Sequence, residues 1–465
     1  MNEETIFWYD LETFGLDTAR DRIAQVAGLR TDLDLNIVGQ EINLMCKIAP
    51  DYLPTPQSCL VTGQTPEQTI KEGLVEAEFI KKIHEEFMVP GTTVAGFNNI
   101  SYDDEMLRHT FYRNLYDPYE REYGSSRYKW DVLDLARVVH DLRPEGINFL
   151  HKNEKGRTQV KLTYLTEDNN IEQVGAHDAL VDIYATINFA KLVKEKQPKL
   201  FNYFFSHRSK QALQEELMKL STRKVMLYTS GKFTSEYGFT HPIYILTTVH
   251  EKTTKVFYFD LTKDANELLK DFKTIKEVEG LGSLQLNKCP YLTTSALLEK
   301  DQKVQERLHI DMDLYKKNIE IILANPQIED YLLSLNNEYP KDENLDIDFN
   351  LYSNGFITWD EKNEYNRIRK TEVSSMIALA SKSCKEKVFR YVARSYPEAL
   401  TAEEKAKWRD FVKSRINLTE YYLNIENSYK ELQEANNLTE ANKEILNSLT
   451  EYGKKIEREW LLDEN

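Results

Sequence analysis

Residues 6–15 read IFWYDLETFG. An apolar run with the two-residue period of a strand sends Asp10 and Glu12 to one face and Leu11 to the other. Two carboxylates this close repel unless a cation lies between them. A strand ending in such a pair, beside Thr13 and Gly15, therefore suits hard divalent metals bound through oxygen. A strand end emerging into solvent would carry the same pair, so the motif needs company before it means anything.

Outward from this strand, 22–32 (RIAQVAGLRTD) and 36–48 (NIVGQEINLMCKI) read as two more strands. A helix is expected near 66–88, a short strand at 92–97 (TTVAGF), and helices from about 103, 131, 161 and 178. Three consecutive strands, then strands alternating with helices, predict a mixed sheet covered by helices. The lysines of 191–200 (KLVKEKQPKL) and Pro198 are stop signals that place a boundary there. Residues 201–355 change to short β-like runs, among them KVMLYTS, HPIYILTTV and TKVFYFDL, with helical stretches near 264–272 and 311–324. This mixture fits a small barrel or sheet with inserted helices. The acidic stretch 340–350 (PKDENLDIDFN) reads as a connector. Residues 358–465 read as helical, with a capping box from Thr401 to Glu404. The expectation is a multidomain α/β chain with domains at 1–200, 201–355 and 358–465.

Several classes are excluded by composition. An apolar share of 41% with 27 Tyr and 20 Phe can bury real cores, so the chain is not a disordered one. Without a signal-peptide pattern or a run of about 18 apolar residues, the expected compartment is the cytoplasm and no membrane is involved. Cys46, Cys59, Cys289 and Cys384 lack CxxC spacing and read as reduced buried thiols. A net charge of −16 speaks against nucleic acid at first sight, but the charge is uneven. Residues 1–200 carry 22 basic and 33 acidic side chains, whereas 201–250 carry 6 and 3, and 361–415 carry 14 and 8. Two locally basic segments thus sit in an acidic chain, either as a substrate surface or as ordinary solvated faces.

Two further motifs join Asp10 and Glu12. In 96–107 (GFNNISYDDEML) a short strand ends at Gly96 and a helix begins near Asp103, so the Asn98 amide, the Tyr102 ring and the Asp103 carboxylate gather at one turn. In 175–193 (GAHDALVDIYATINFAKLV) an otherwise apolar helix carries Asp182 one turn in, with His177 five residues earlier. An Asp facing the core is costly unless a metal or hydrogen bonds compensate it.

D-x-E, N-x-x-x-Y-D and H-x-x-x-x-D in this order resemble the three motifs of the DEDD exonuclease superfamily, and His177 places the chain in its histidine branch. The resemblance extends to the bacterial exonuclease I family through 51–66 (DYLPTPQSCLVTGQTP), 129–139 (KWDVLDLARVV), LRPEGIN, LFNYFFSHR, NKCP, LYSNGF and FRYVARSYP. It implies a ribonuclease H-like exonuclease domain, an SH3-like domain and a C-terminal helical domain enclosing a channel for single-stranded DNA. It implies Mg²⁺-dependent, processive 3′→5′ hydrolysis to 5′-mononucleotides, with Asp10, Glu12, Asp103 and Asp182 at two ions, Mn²⁺ as a substitute, and His177 as general base. Action in DNA repair and recombination, contact with the single-stranded DNA-binding protein, and a monomer are implied as well. Oligoribonuclease, ribonuclease T and proofreading subunits resemble the first domain alone, and a non-catalytic single-strand-binding scaffold is the alternative from another class.

Sequence-independent DNA contacts require backbone cations and stacking rings. Residues 108–130 interleave the two, making Arg108, Arg113, Tyr119, Tyr123, Arg127 and Trp130 candidates, with Arg137 beyond them. Lys161 stands sixteen residues before His177, where the family pattern has an Arg that touches substrate. The change keeps the charge and loses the planar fork. Lys382, Arg390 and Arg394 are candidates for closing the channel from the helical side.

Overall fold

A computed structural model describes residues 4–122, 126–173, 178–220, 224–233, 238–335, 346–353 and 356–462. The first sheet contains β1 (Thr5–Thr13), β2 (Ile23–Thr31), β3 (Ile42–Met45), β4 (Thr92–Gly96) and β5 (Tyr128–Asp131), in the order β3-β2-β1-β4-β5. β1 runs antiparallel to β2 and parallel to β4, which is parallel to β5, so the sheet is mixed as expected. Alternation along β1 divides its side chains between two cores. Ile6 and Trp8 enter the core beneath the helix Ala179–Lys196, while Phe7, Tyr9 and Leu11 enter the one shared with Phe79, Ile83, Met106 and Phe111.

The second sheet, β6 (Val225–Thr229), β7 (Thr240–Ile245), β8 (Lys255–Asp260), β9 (Leu281–Gln285) and β10 (Tyr291–Thr294), has the order β10-β6-β7-β8-β9. Its inner face continues the core of the first domain, with Val225, Leu227 and Phe257 joining the cluster of Trp130 and Val139. The Tyr291 hydroxyl donates to the Asp131 carbonyl across that seam (2.9 Å). From Trp359 onward the described chain is helical, and the capping box at Thr401 and Glu404 is present. These helices pack on the first domain through two cores, one around Ala77, Leu115, Phe389 and Trp408, the other around Phe14, Cys59, Tyr421 and Leu449.

The structure departs from expectation where tertiary contacts override local pattern. The helix expected over 66–88 is two, Pro66–Glu72 and Glu76–Phe87. Between them Leu74 leaves the helix to exchange backbone hydrogen bonds with Met45 and Lys47 (2.9 and 2.8 Å). Pro198 opens the helix Pro198–Ser206 rather than only stopping the previous one, as its fixed φ and missing N–H allow. β5, β9 and β10 are too short to show a period. The acidic stretch is no bare connector either, because Asp346 and Asp348 are gripped by arginines. All four cysteines are free and buried, and burial pushes the Cys59 thiol up to about 12. Among the described residues no helix is long and apolar enough to cross a membrane.

Candidate active site

Asp10 and Glu12 continue the Ile6/Trp8 face of β1, where the helix Ala179–Lys196 docks through Ala179, Ile183, Ile187, Ala190 and Val193. Asp182, in the first turn of that helix, therefore meets them. Ligand oxygens of Asp10, Glu12 and Asp182 all lie within 4.8 Å of one another. The β1/β2 register slips between Glu12 and Thr13, the kind of irregularity that re-aims a strand end beside a site. Asp103 arrives from the neighbouring parallel strand. β4 ends at Gly96, where a Cβ would stand 2.7 Å from the Tyr9 carbonyl oxygen, and the chain then turns into the helix Asp103–Arg113. That turn is held by Asp131, whose carboxylate accepts from the backbone N–H of Asn98 (2.9 Å), Ile100 (3.3 Å) and Leu133 (2.9 Å).

The electrostatics identify which acids belong together. Burial and the Asp182 carboxylate push the Asp10 carboxyl well above the usual range. Burial, then Asp10, Asp182 and Asp178, push Glu12 up to about 9. For Asp103 the causes are burial and then Asp10. Among the described residues no lysine or arginine pairs with Asp10 or Glu12, so these acids are mutually repelling oxygen donors in a confined space. Such a set fits hard divalent cations, which bind through oxygen and cancel the repulsion.

Asp104, one residue on, is the opposite case. Its carboxylate accepts from the Tyr9 hydroxyl (2.6 Å) and pairs with Arg121. Burial opposes its ionisation, but Arg121, Lys129 and Arg108 overcome this and hold it down to about 2. It is a structural ion, whereas Asp103 faces the site.

Sequence reasoning was less reliable for the DNA contacts. Trp130 is completely buried, edge-on to Trp8, Phe201 and Phe205 (centroids 6.3, 5.3 and 5.2 Å), so no base can stack on it. Arg108 is consumed by Glu105 and Glu122 at 2.6 Å each, and Arg113 by Glu76 at 2.7 Å, both arginines being buried. Arg137 pairs with Asp134 (2.6 Å) and lies against Gly231, whose absent side chain leaves room for the guanidinium at the seam with the second sheet. Arg127 donates to the carbonyls of Arg121 and Glu120. Tyr119 is half-buried beneath Arg108. Lys161 is exposed. Arg390 and Arg394 are locked onto Asp346, Asp348 and Asp51, leaving exposed Lys382 as the accessible cation of that trio. At the turn before Asp103 the buried amide belongs to Asn99, not to exposed Asn98. His177 and Tyr123 lie outside the described residues.

One surface was missed altogether. Tyr352, Phe356 and Trp359 are 55%, 72% and 73% exposed, and the Tyr352 hydroxyl bonds Glu105, two residues from Asp103. Phe356 meets Tyr119 edge-on at 5.2 Å. The run LYSNGF contained two of these rings, but exposure is not readable from residue type.

The mixed sheet and its carboxylate cluster define a nuclease of the exonuclease class, and the family model described as "Exonuclease" matches residues 7–190. Models for the exonuclease I SH3-like domain and the exonuclease I C-terminal domain match 208–338 and 345–456. The chain belongs to the exodeoxyribonuclease I family. It is 37% identical to the exodeoxyribonuclease I of Haemophilus influenzae over 97% of this chain and 98% of the relative. It superposes on a zinc-bound complex of Escherichia coli exonuclease I with single-stranded DNA (TM-score 0.89, 32% identity, 98% of this chain and 100% of the other). A structure described as SSB/exonuclease I with an inhibitor matches equally well (TM-score 0.89, 32% identity, 98% and 100%).

Proposed function

We propose that this nuclease is a divalent-metal-dependent 3′→5′ exonuclease that degrades single-stranded DNA processively to 5′-mononucleotides. The observation that carries the reading is the convergence of Asp10, Glu12 and Asp182 oxygens within 4.8 Å, with Asp103 buried beside them. Asp10, Glu12 and Asp182 would hold Mg²⁺, or Mn²⁺ in its place, and Asp103 would complete the set partly through water. Two such ions, when bound, stabilise the attacking and leaving oxygens of an in-line phosphoryl displacement. His177 takes the proton of the attacking water, a task suited to an imidazole that is neutral near pH 7. His177→Ala should keep DNA affinity and lose most turnover; hydrolysis at the wild-type rate would remove His177 from the mechanism.

The substrate assignment draws on the relative solved with single-stranded DNA and on exposed side chains, of which Tyr352 reaches Glu105, two residues from Asp103. Lys161 supplies a backbone cation. Tyr352, Phe356 and Trp359 replace Trp130 as the stacking surface, at about 1–3 kcal/mol per stacked base. Trp359→Ala and Phe356→Ala should each weaken binding of a long single strand several-fold while sparing the fold. Three units at 1–200, 201–355 and 358–465, contact with the single-stranded DNA-binding protein, and action in DNA repair and recombination belong to the same reading, the partner being suggested by the SSB/exonuclease I structure. The deciding experiment is digestion of 3′- and 5′-labelled single-stranded and duplex DNA with Mg²⁺ and with EDTA. Mononucleotide release from the 3′ end of single strands only, abolished by EDTA, is expected; cleavage from the 5′ end or within duplex would overturn the reading.

A further inference from the structure

The Asp182 carboxylate is in contact with a neutral amide. Gln173 Nε2 donates to Asp182 Oδ1 at 2.6 Å, and Gln173 Oε1 lies 2.7 Å from the Thr166 hydroxyl. Thr166 is buried on the helix Leu162–Asp168, and its hydroxyl also lies 2.7 Å from the Thr163 carbonyl, so its single proton serves the two acceptors in turn. The Ile171 N–H returns to the Thr166 carbonyl (2.9 Å), which brings the chain back and delivers Gln173 to this place. A helix, a hydroxyl and an amide thus end on one oxygen of one of the three clustered acids.

We propose that Gln173 is a positioning residue that fixes the rotation of the Asp182 carboxylate for cation binding; this rests on the metal reading given under Proposed function. Asp182 lies beside two like charges, which drive an untethered carboxylate to turn away. A lysine or arginine in the place of Gln173 would hold it too, but would neutralise the charge that a cation needs. The amide restrains the oxygen by a hydrogen bond and adds no net charge. Its orientation is determined as well, because only the N–H side of an amide can face an ionised carboxylate. Partners of this kind, one bond behind a metal ligand, typically change metal affinity by about 10–100-fold when lost.

The test is Mn²⁺ titration calorimetry on the full chain, with wild type, Gln173→Met and Gln173→Asn. Methionine keeps the volume and removes the donor. Asparagine keeps the amide but is one carbon too short to span Thr166 and Asp182. Both should bind Mn²⁺ about tenfold more weakly, with unchanged melting temperature and unchanged single-strand affinity in EDTA. Turnover of Gln173→Met should recover as Mn²⁺ is raised, which loss of a merely structural contact would not produce. Mn²⁺ affinity within twofold of wild type in both folded variants overturns the role of Gln173 alone. Absence of Mn²⁺ binding by the wild type overturns the metal site and this role together.

Discussion

Asp10, Glu12, Asp103 and Asp182 crowd the end of β1 with no described arginine on Asp10 or Glu12, whereas Asp51, Asp346 and Asp348, at the seam with the helical domain, are threaded by arginines. Arg394 pairs with Asp51 (2.8 Å) and Asp348, Arg390 with Asp346 (2.7 Å) and Asp348 (3.1 Å), and Arg415 with Asp346 (2.8 Å). Arg22 stands 3.7 Å from Asp51. Burial opposes ionisation of Asp348, but Arg394 and Arg390 hold its carboxyl far below the usual range. For Asp10, Glu12 and Asp103 burial and like charge act in the same direction and raise the carboxyls. The seam acids are compensated by the chain's own arginines, and those pairs tie the helical domain to the first domain. Asp10 and Glu12 have no such partner among the described residues, which is what the proposed metal site requires.

The sharpest way to break this contrast is to delete a member of each group. Asp10→Ala should reduce nuclease turnover on the order of a thousandfold, as losing a preorganised charge-stabilising group does. It should also raise the melting temperature in EDTA, because a carboxyl whose ionisation the fold opposes is gone. A lower melting temperature in EDTA would mean that Asp10 is a structural ion like Asp348. Arg394→Met should do the reverse and cost about 3–5 kcal/mol in denaturant unfolding, since Asp51 and Asp348 stay buried with less compensation. Full stability in that variant would show the seam to be held by its apolar cores alone. Removing the helical domain is a poorer experiment, because Phe14, Cys59 and Leu115 pack in cores it completes.

A gentler probe is pH. Glu12 is raised in the fold from 4.5 to about 9, so its ionisation opposes folding, and this cost grows as pH rises from about 4.5 to about 9. Glu76, beside Arg113, is lowered from 4.5 to about 2, so its contribution is present above pH 4.5 and is lost as pH falls toward 2. Stabilisation by Mg²⁺, read as the melting-temperature difference from EDTA, should therefore be larger at pH 8 than at pH 6. A difference independent of pH would detach the ion from the raised carboxyls. The smallest expected effect is at Lys161. Lys161→Ala should weaken single-strand binding a few-fold and reduce the salt slope by about one ion, without moving the stability of either acid group.

The amino-acid sequence by itself determined the two-residue period that puts Asp10 and Glu12 on one face, the mixed order of strands and helices, and the spacing of the motifs that ends at Asp182. These are local or ordinal properties, set by backbone geometry and chain order. Residue type alone does not separate Asp103 from Asp104, both acids in one helical turn; the motif resemblance singles out Asp103, and the positions of Arg121 and Asp10 in space supply the physical reason. The sequence could not tell a buried Arg108 or Trp130 from a surface one, since the partners that bury them lie elsewhere in the chain. Gln173 was invisible for the same reason, its meaning residing in a hydroxyl and a carboxylate that meet only after folding. Tertiary structure decided which acids receive cations from the chain and which do not, because charge compensation depends on distance through space and residue type carries no distance.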